Sequence, residues 1–150
     1  MSANVCRMEV SLLKTVQFEI PGAVKGKGRP RVTKAGIAYT PKDTVQYENL
    51  VRLCYREKVG EYLEGQIRIE IDAYFPIPKS TSKYNRNQMI LGFLRPTKKP
   101  DWDNIGKIIC DSLNGVAYRD DAAVVSARFD KWYTNEEPKT IVTMVVIGEG

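Results

Sequence analysis

The sequence predicts a single α+β domain, with a small mixed β-sheet of about four strands and two main helices packed on it. Three observations lead there. Ile67, Ile69, Ile71, Ala73 and Phe75 alternate with Arg68, Glu70, Asp72 and Tyr74, as in a strand with one buried face. Tyr47, Leu50, Val51 and Cys54 fall at i, i+3, i+4 and i+7, and Ile105, Ile108, Ile109 and Leu113 make a second helical stripe. Finally, 150 residues without an internal repeat or linker suit one domain over residues 1–150, which at this size buries roughly 70% of its unfolded surface.

Taken in order, residues 1–14 read as a variable lead-in. Their mixed composition, with Glu9 and Lys14, does not fit a signal peptide. Val16, Phe18 and Ile20 alternate with Gln17 and Glu19 in a strand stopped by Pro21-Gly22. Ala23 to Ile37 is Gly- and Lys-rich, a loop or loose hairpin. Thr40-Pro41-Lys42-Asp43 starts a helix, with Thr40 as N-cap and Pro41 at the first helical position, and the helix runs to about Lys58. The strand from Gln66 to Phe75 ends at Pro76. Lys79 to Pro100 shows no sustained period and reads as a long basic loop. The second helix spans about Asp103 to Leu113, with Asp103 at its cap and Asn114-Gly115 closing it. Val124 to Trp132 is a strand, Asn135 to Pro138 a turn, and the nearly continuous apolar run from Thr140 to Ile147 a central strand.

Composition narrows the chemistry. The net charge is +5 and the pI about 9.1, which favours anionic partners. The distribution says more than the total. Pro21 to Lys42 carries Lys25, Lys27, Arg29, Arg31, Lys34 and Lys42 and no acid, and no acid lies between Asp72 and Asp101. Cys6, Cys54 and Cys110 are isolated and odd in number, as reduced thiols of a cytoplasmic protein would be, with Cys54 and Cys110 as core residues. No apolar run approaches the ~20 residues of a membrane span. Histidine is absent, which excludes Ser-His-Asp triads, HExxH sites and His-dependent metal nucleases. Any metal must then be held by oxygen, which suits Mg2+ or Mn2+.

Against this basic background stand Asp101, Asp103 and the pair Asp120-Asp121, with Lys107 one helical turn after Asp103. Two carboxylates held ~4 Å apart repel by about 4 kcal/mol at an effective dielectric near 20, and a divalent cation removes that penalty. The same residues also suit plain structural work. Asp103 makes a helix cap, Asp120-Asp121 a solvated turn, and Lys107 an i,i+4 pair with Asp103 or Asp111. Spacing leaves both open.

Pro100-Asp101-Trp102-Asp103-Asn104-Ile105-Gly106-Lys107, then Asp111-Ser112-Leu113-Asn114-Gly115-Val116, then Asp120-Asp121-Ala122-Ala123-Val124 resembles the signature of RusA-type Holliday junction resolvases. Ile20-Pro21-Gly22, Lys27-Gly28-Arg29-Pro30-Arg31 and Tyr39-Thr40-Pro41 are similar to that family's opening segment, so the resemblance spans about residues 16 to 147. It implies a homodimeric, Mg2+-dependent endonuclease making paired nicks in four-way DNA junctions. It also implies metal-binding aspartates at Asp101, Asp103 and Asp121, with Asp120 as the alternative to the last, and a catalytic lysine at Lys107. The cations Lys25, Lys27, Arg29, Arg31, Lys98 and Lys99 are then expected to grip DNA, and Trp102 to pack beneath the site. Neither the lead-in nor the Lys79–Arg95 segment matches any part of the signature. Two rivals remain. A PD-(D/E)xK nuclease would pair Pro100-Asp101 with Glu137-Pro138-Lys139, but puts proline where a paired strand is needed. A non-catalytic DNA-binding module would use its aspartates only as caps and turns.

Overall fold

The computed structural model describes residues 14–150; the lead-in up to residue 13, with Cys6, lies outside them. A four-stranded sheet is built from β1 (Thr15–Pro21), β4 (Gln66–Pro76), β5 (Val124–Thr134) and β6 (Lys139–Gly148), in the order β1-β6-β4-β5. β6 is antiparallel to both β1 and β4, whereas β5 runs parallel to β4. Parallel neighbours need a crossover. It is supplied by α2 (Lys83–Ile90) and α3 (Trp102–Ser112), while α1 (Lys42–Lys58) connects the first part of the chain to β4. A two-residue hairpin, β2 (Arg31–Val32) with β3 (Ala38–Tyr39), forms a separate small sheet.

One sheet face carries the core. Phe18 and Ile20 of β1, Ile67, Ile69 and Ile71 of β4, and Val142 and Met144 of β6 are buried beneath Val51 and Tyr55 of α1 and Ile105, Ile108 and Ile109 of α3. β6 is internal, as its apolar run predicts. Only Thr140, Val142 and Met144 of it are fully buried, because the opposite sheet face is only partly covered. Cys54 and Cys110 are half-buried and pack against the core. No helix among the described residues is long and apolar enough to cross a membrane.

Three local expectations need correction. Residues 79–100 are not simply a loop, since α2 lies within them. Its N-cap Ser82 accepts a hydrogen bond from the Asn85 amide at 3.2 Å. None of its residues is buried, so it has no apolar stripe for periodicity to reveal. Pro41, not Thr40, is the N-cap of α1, and no side chain caps that helix. Asp101 rather than Asp103 occupies the N-cap position of α3, again without a side-chain cap bond, and Asp103 lies in the first turn. The turn after α3 contains Gly115 at φ +72°, where glycine alone is unstrained.

Gly106 explains how closely α3 approaches the sheet. A Cβ there would lie 2.8 Å from the Phe129 ring of β5. Trp102 packs against the same ring, with centroids 5.5 Å apart, yet stays 60% exposed. Helix propensity favours alanine over glycine by about 1 kcal/mol, and the clash opposes it. Gly106→Ala is expected to destabilise the protein by about 1–3 kcal/mol in urea unfolding; a stabilised variant would show that α3 is free to move off β5.

Candidate functional site

The signature residues are strung along α3 and its two ends. Asp101 precedes the helix, Asp103 is in its first turn, Lys107 lies one turn on and Asp111 in the last turn. Asp103, Lys107 and Asp111 therefore share one helix face. At a rise of 1.5 Å per residue, Asp101 and Asp111 are about 15 Å apart along the axis.

At the first end, Lys99 Nζ lies 2.8 Å from Asp101 Oδ2, and Lys131 of β5 faces the same carboxylate. Lys131 also donates to the Lys98 carbonyl. The chain leading to Asp101 is fixed from β5 as well. The Arg95 guanidinium stacks 3.8 Å above the Trp132 ring, pairs with Asp130 at 2.7 Å and donates to the Lys131 carbonyl at 2.8 Å. Trp132 in turn donates its indole N–H to Asp72 at 2.9 Å. Asp103 is exposed and makes no ion pair among the described residues.

At the other end, Asp111 Oδ2 lies 3.3 Å from Lys107 Nζ and 3.3 Å from Lys27 Nζ. Lys27 also meets Glu48 of α1 at 3.2 Å. Asp121 faces Asp111. Burial, and then the neighbouring carboxylates Asp111 and Asp120, raise its pKa above the ordinary carboxylate range, with Lys107 opposing. Asp120 does different work. Its carboxylate accepts from the Ala122 amide at 3.3 Å and caps the short 3₁₀ turn Asp121–Ala123. The loop that returns these aspartates to α3 is held by Tyr118, fully buried, whose hydroxyl donates to the Cys110 carbonyl at 2.7 Å. Burial pushes the adjacent Cys110 thiol up to about 11, so it is an inert packing group.

The basic opening segment lies against the same helix. The Lys27 amide donates to the Asn104 carbonyl at 3.0 Å, and the Gly28 amide donates to Thr44 Oγ1 of α1 at 3.1 Å. Gly26 sits close against Pro100 and Asn104, where a Cβ would lie 3.0 and 3.1 Å from their Cβ atoms. Lys25, Arg29 and Arg31 are exposed along this loop and line, with Pro41 and Thr44, a cleft of about 380 Å³ at the start of α1. Lys27 is placed differently from them. It is drawn inward as a bridge between Glu48 and Asp111, so it is occupied rather than offered to a phosphate. Lys99 remains 83% exposed at its side chain despite its contact with Asp101. Another cleft, of about 580 Å³, lies elsewhere between β1 and α1. It is lined by Gln17, Phe18, Glu19, Cys54, Glu57 and Lys58 and contains none of the signature residues.

The donor set matches a hard divalent cation in kind. All of it is carboxylate oxygen, and the crowding of Asp121 against Asp111 is what a cation relieves. In number it is split. No three Asp, Glu or Cys side chains among the described residues gather closely enough to hold an ion. Asp101 and Asp103 lie at one end of α3, and Asp121 at the other. Sequence reasoning missed Glu48 and treated Asp111 only as the i,i+4 partner of Lys107. That pair is present, but Asp111 also meets Lys27, which reaches on to Glu48 of α1, and faces Asp121 of the following turn.

A family model described as "Endodeoxyribonuclease RusA" matches residues 21–145. The chain is also 33% identical over 135 residues to the "Uncharacterized protein YqaN" of Bacillus subtilis (strain 168), covering 85% of this chain and 93% of that protein.

Proposed function

The chain belongs to the RusA endodeoxyribonuclease family, and from that premise we propose that it is a Mg2+-dependent nuclease that resolves four-way DNA junctions by paired nicks. The observation that carries the reading is the family signature laid along α3 with exposed cations on both sides of it. Mg2+, or Mn2+ in its place, would be held by Asp101, Asp103 and Asp121; when bound it lowers the pKa of a coordinated water and neutralises charge at the scissile phosphate. Asp121 suits this role better than Asp120, whose carboxylate already caps a turn. Lys107 is 62% exposed at its side chain. Its exposed i,i+4 contact with Asp111 is worth only a few tenths of a kcal/mol, so its ammonium is free to meet negative charge building on a phosphate. Lys25, Arg29, Arg31, Lys98 and Lys99 hold the DNA backbone, in the cytoplasm where such substrates occur.

The split donor set favours a homodimer. In a two-fold dimer, each pair Asp101 and Asp103 would be completed by the partner's Asp121, and two sites so built would face two strands of a near-symmetric junction. A single chain would then hold metal weakly and cut poorly.

The first test is Mg2+-dependent cleavage of a synthetic four-way junction beside a linear duplex of the same sequence. Junction nicking is expected, with little duplex cutting. Asp101→Asn should keep junction binding while losing nicking at least ~10³-fold, since a charge-stabilising metal contributes several kcal/mol. A variant that cuts like the parent would refute the metal assignment and favour a DNA-binding module whose aspartates only cap and turn.

A further inference from the structure

The β2–β3 hairpin has features that phosphate gripping does not use. It is well formed: the Thr33 amide donates to the Ile37 carbonyl at 2.9 Å, Gly36 returns to Thr33 at 2.9 Å, and Thr33 Oγ1 accepts from the Ile37 amide at 3.1 Å. Yet none of residues 31–40 is buried. Val32 is 66% exposed, Ile37 65% and Tyr39 46%. Arg31 and Tyr39 stand directly opposite each other, so they share one face of the hairpin. An isolated two-stranded hairpin is marginal in water, and apolar side chains on it gain nothing until something covers them.

The surroundings indicate the cover. Arg29, Arg31, Lys34 and Lys42 flank these side chains, and no acid occurs between Pro21 and Lys42, so the partner is a polyanion with apolar faces. A fully stacked duplex offers phosphates but conceals its base faces; an opened branch point offers both. The base of the hairpin is also fixed in place. Lys27 is hydrogen-bonded to Asn104 in the first turn of α3, and Gly28 to Thr44. From Gly28 the extended chain reaches Val32 within about 14 Å, and Gly28 directly follows the residue bonded to Asn104, so the hairpin starts close to the first turn of α3.

We propose that the β2–β3 hairpin is a wedge that enters among bases unpaired at the centre of a branched DNA, with Tyr39 stacking from one face, Val32 packing from the other and Ile37 beside the turn. Arg31 and Lys34 neutralise the phosphates on either side. The hairpin thus separates branched from linear DNA, while the aspartates supply the cut. This rests on the nuclease reading above.

The test uses full-length protein carrying Asp101→Asn, so that bound DNA survives. Titration at fixed salt compares a four-way junction with linear duplex, and a 2-aminopurine at the branch point reports unstacking. The parent is expected to prefer the junction and to raise 2-aminopurine emission. Adding Val32→Ser, Ile37→Ser and Tyr39→Ser should weaken junction binding about tenfold, within the range of losing a stacked base. Duplex affinity should change less than about twofold, and the emission rise should vanish. Tyr39→Phe should retain both. Equal losses on junction and duplex, or no loss on either, would overturn the wedge. So would a change in particle mass by light scattering, which would show that the hairpin covers a second copy of the chain. A parent that binds both DNAs alike would instead sink the junction reading, and the wedge with it.

Discussion

Mixing the Asp101→Asn and Asp121→Asn proteins is expected to restore nicking that neither has alone. In the two-fold dimer proposed above, each variant homodimer would lose one donor from both sites and fall at least ~10³-fold. In a mixed dimer, one site carries both substitutions and the other carries neither. A statistical mixture is half mixed dimers, each with one intact site, so about a quarter of the parent's nicking rate should return. The products should be single nicks, not paired ones, because only one site per dimer works. The expectation follows from the geometry of α3. Asp101 and the Asp111–Asp121 contact lie at its two ends, about 15 Å apart, and no three donors meet within the described residues of one chain. A mixture as inactive as its components would show that each chain builds its own site, by a movement of the Asp120-Asp121 turn toward the start of α3.

Tyr118→Ala is expected to cost about 3–5 kcal/mol in urea unfolding, in the range for a fully buried aromatic. Tyr118 does two things. Its ring fills the core where the turn after α3 folds back, and its hydroxyl satisfies the Cys110 carbonyl in the last turn of the helix, where intrahelical donors run out. Two backbone bonds close the same turn: Gly115 donates to the Tyr118 carbonyl at 2.7 Å, and Leu63 donates to the Ala117 carbonyl at 2.7 Å. Tyr118→Phe separates the two contributions. It keeps the ring, loses one hydrogen bond, and should cost about 1 kcal/mol. Nicking by the alanine variant should fall even where it stays folded, because Asp121 is placed by this turn. A cost below about 1 kcal/mol for Tyr118→Ala would mean that the turn does not depend on its anchor.

Much of this molecule can be read from pattern because pattern follows burial. The alternation at 67–75 is β4 and the stripe at Ile105–Leu113 is the buried side of α3; the stripe at Tyr47–Cys54 catches Tyr47 and Val51, with Leu50 and Cys54 half-buried beside them, and misses Thr44 and Tyr55. In each case one face meets the core and the other meets water, so hydrophobic period and structure coincide. α2 escaped because it buries nothing and is set by the Ser82 cap and by the latch of Arg95 on Trp132. The helix starts shifted by one or two residues because Thr, Pro and Asp each suit neighbouring cap positions almost equally well.

The site divides along the same line. Residue types and order pointed to an oxygen-ligand nuclease: carboxylates in basic chain, no histidine, and a signature running from Pro100 to Val124. They could not show that Lys27 turns inward to Glu48 and Asp111, or that Asp120 caps while Asp121 faces Asp111. Those are facts of long-range contact. Charge and spacing are local properties of a chain, whereas which charges meet depends on the crossover that carries α3 from the end of β4 back to the start of β5.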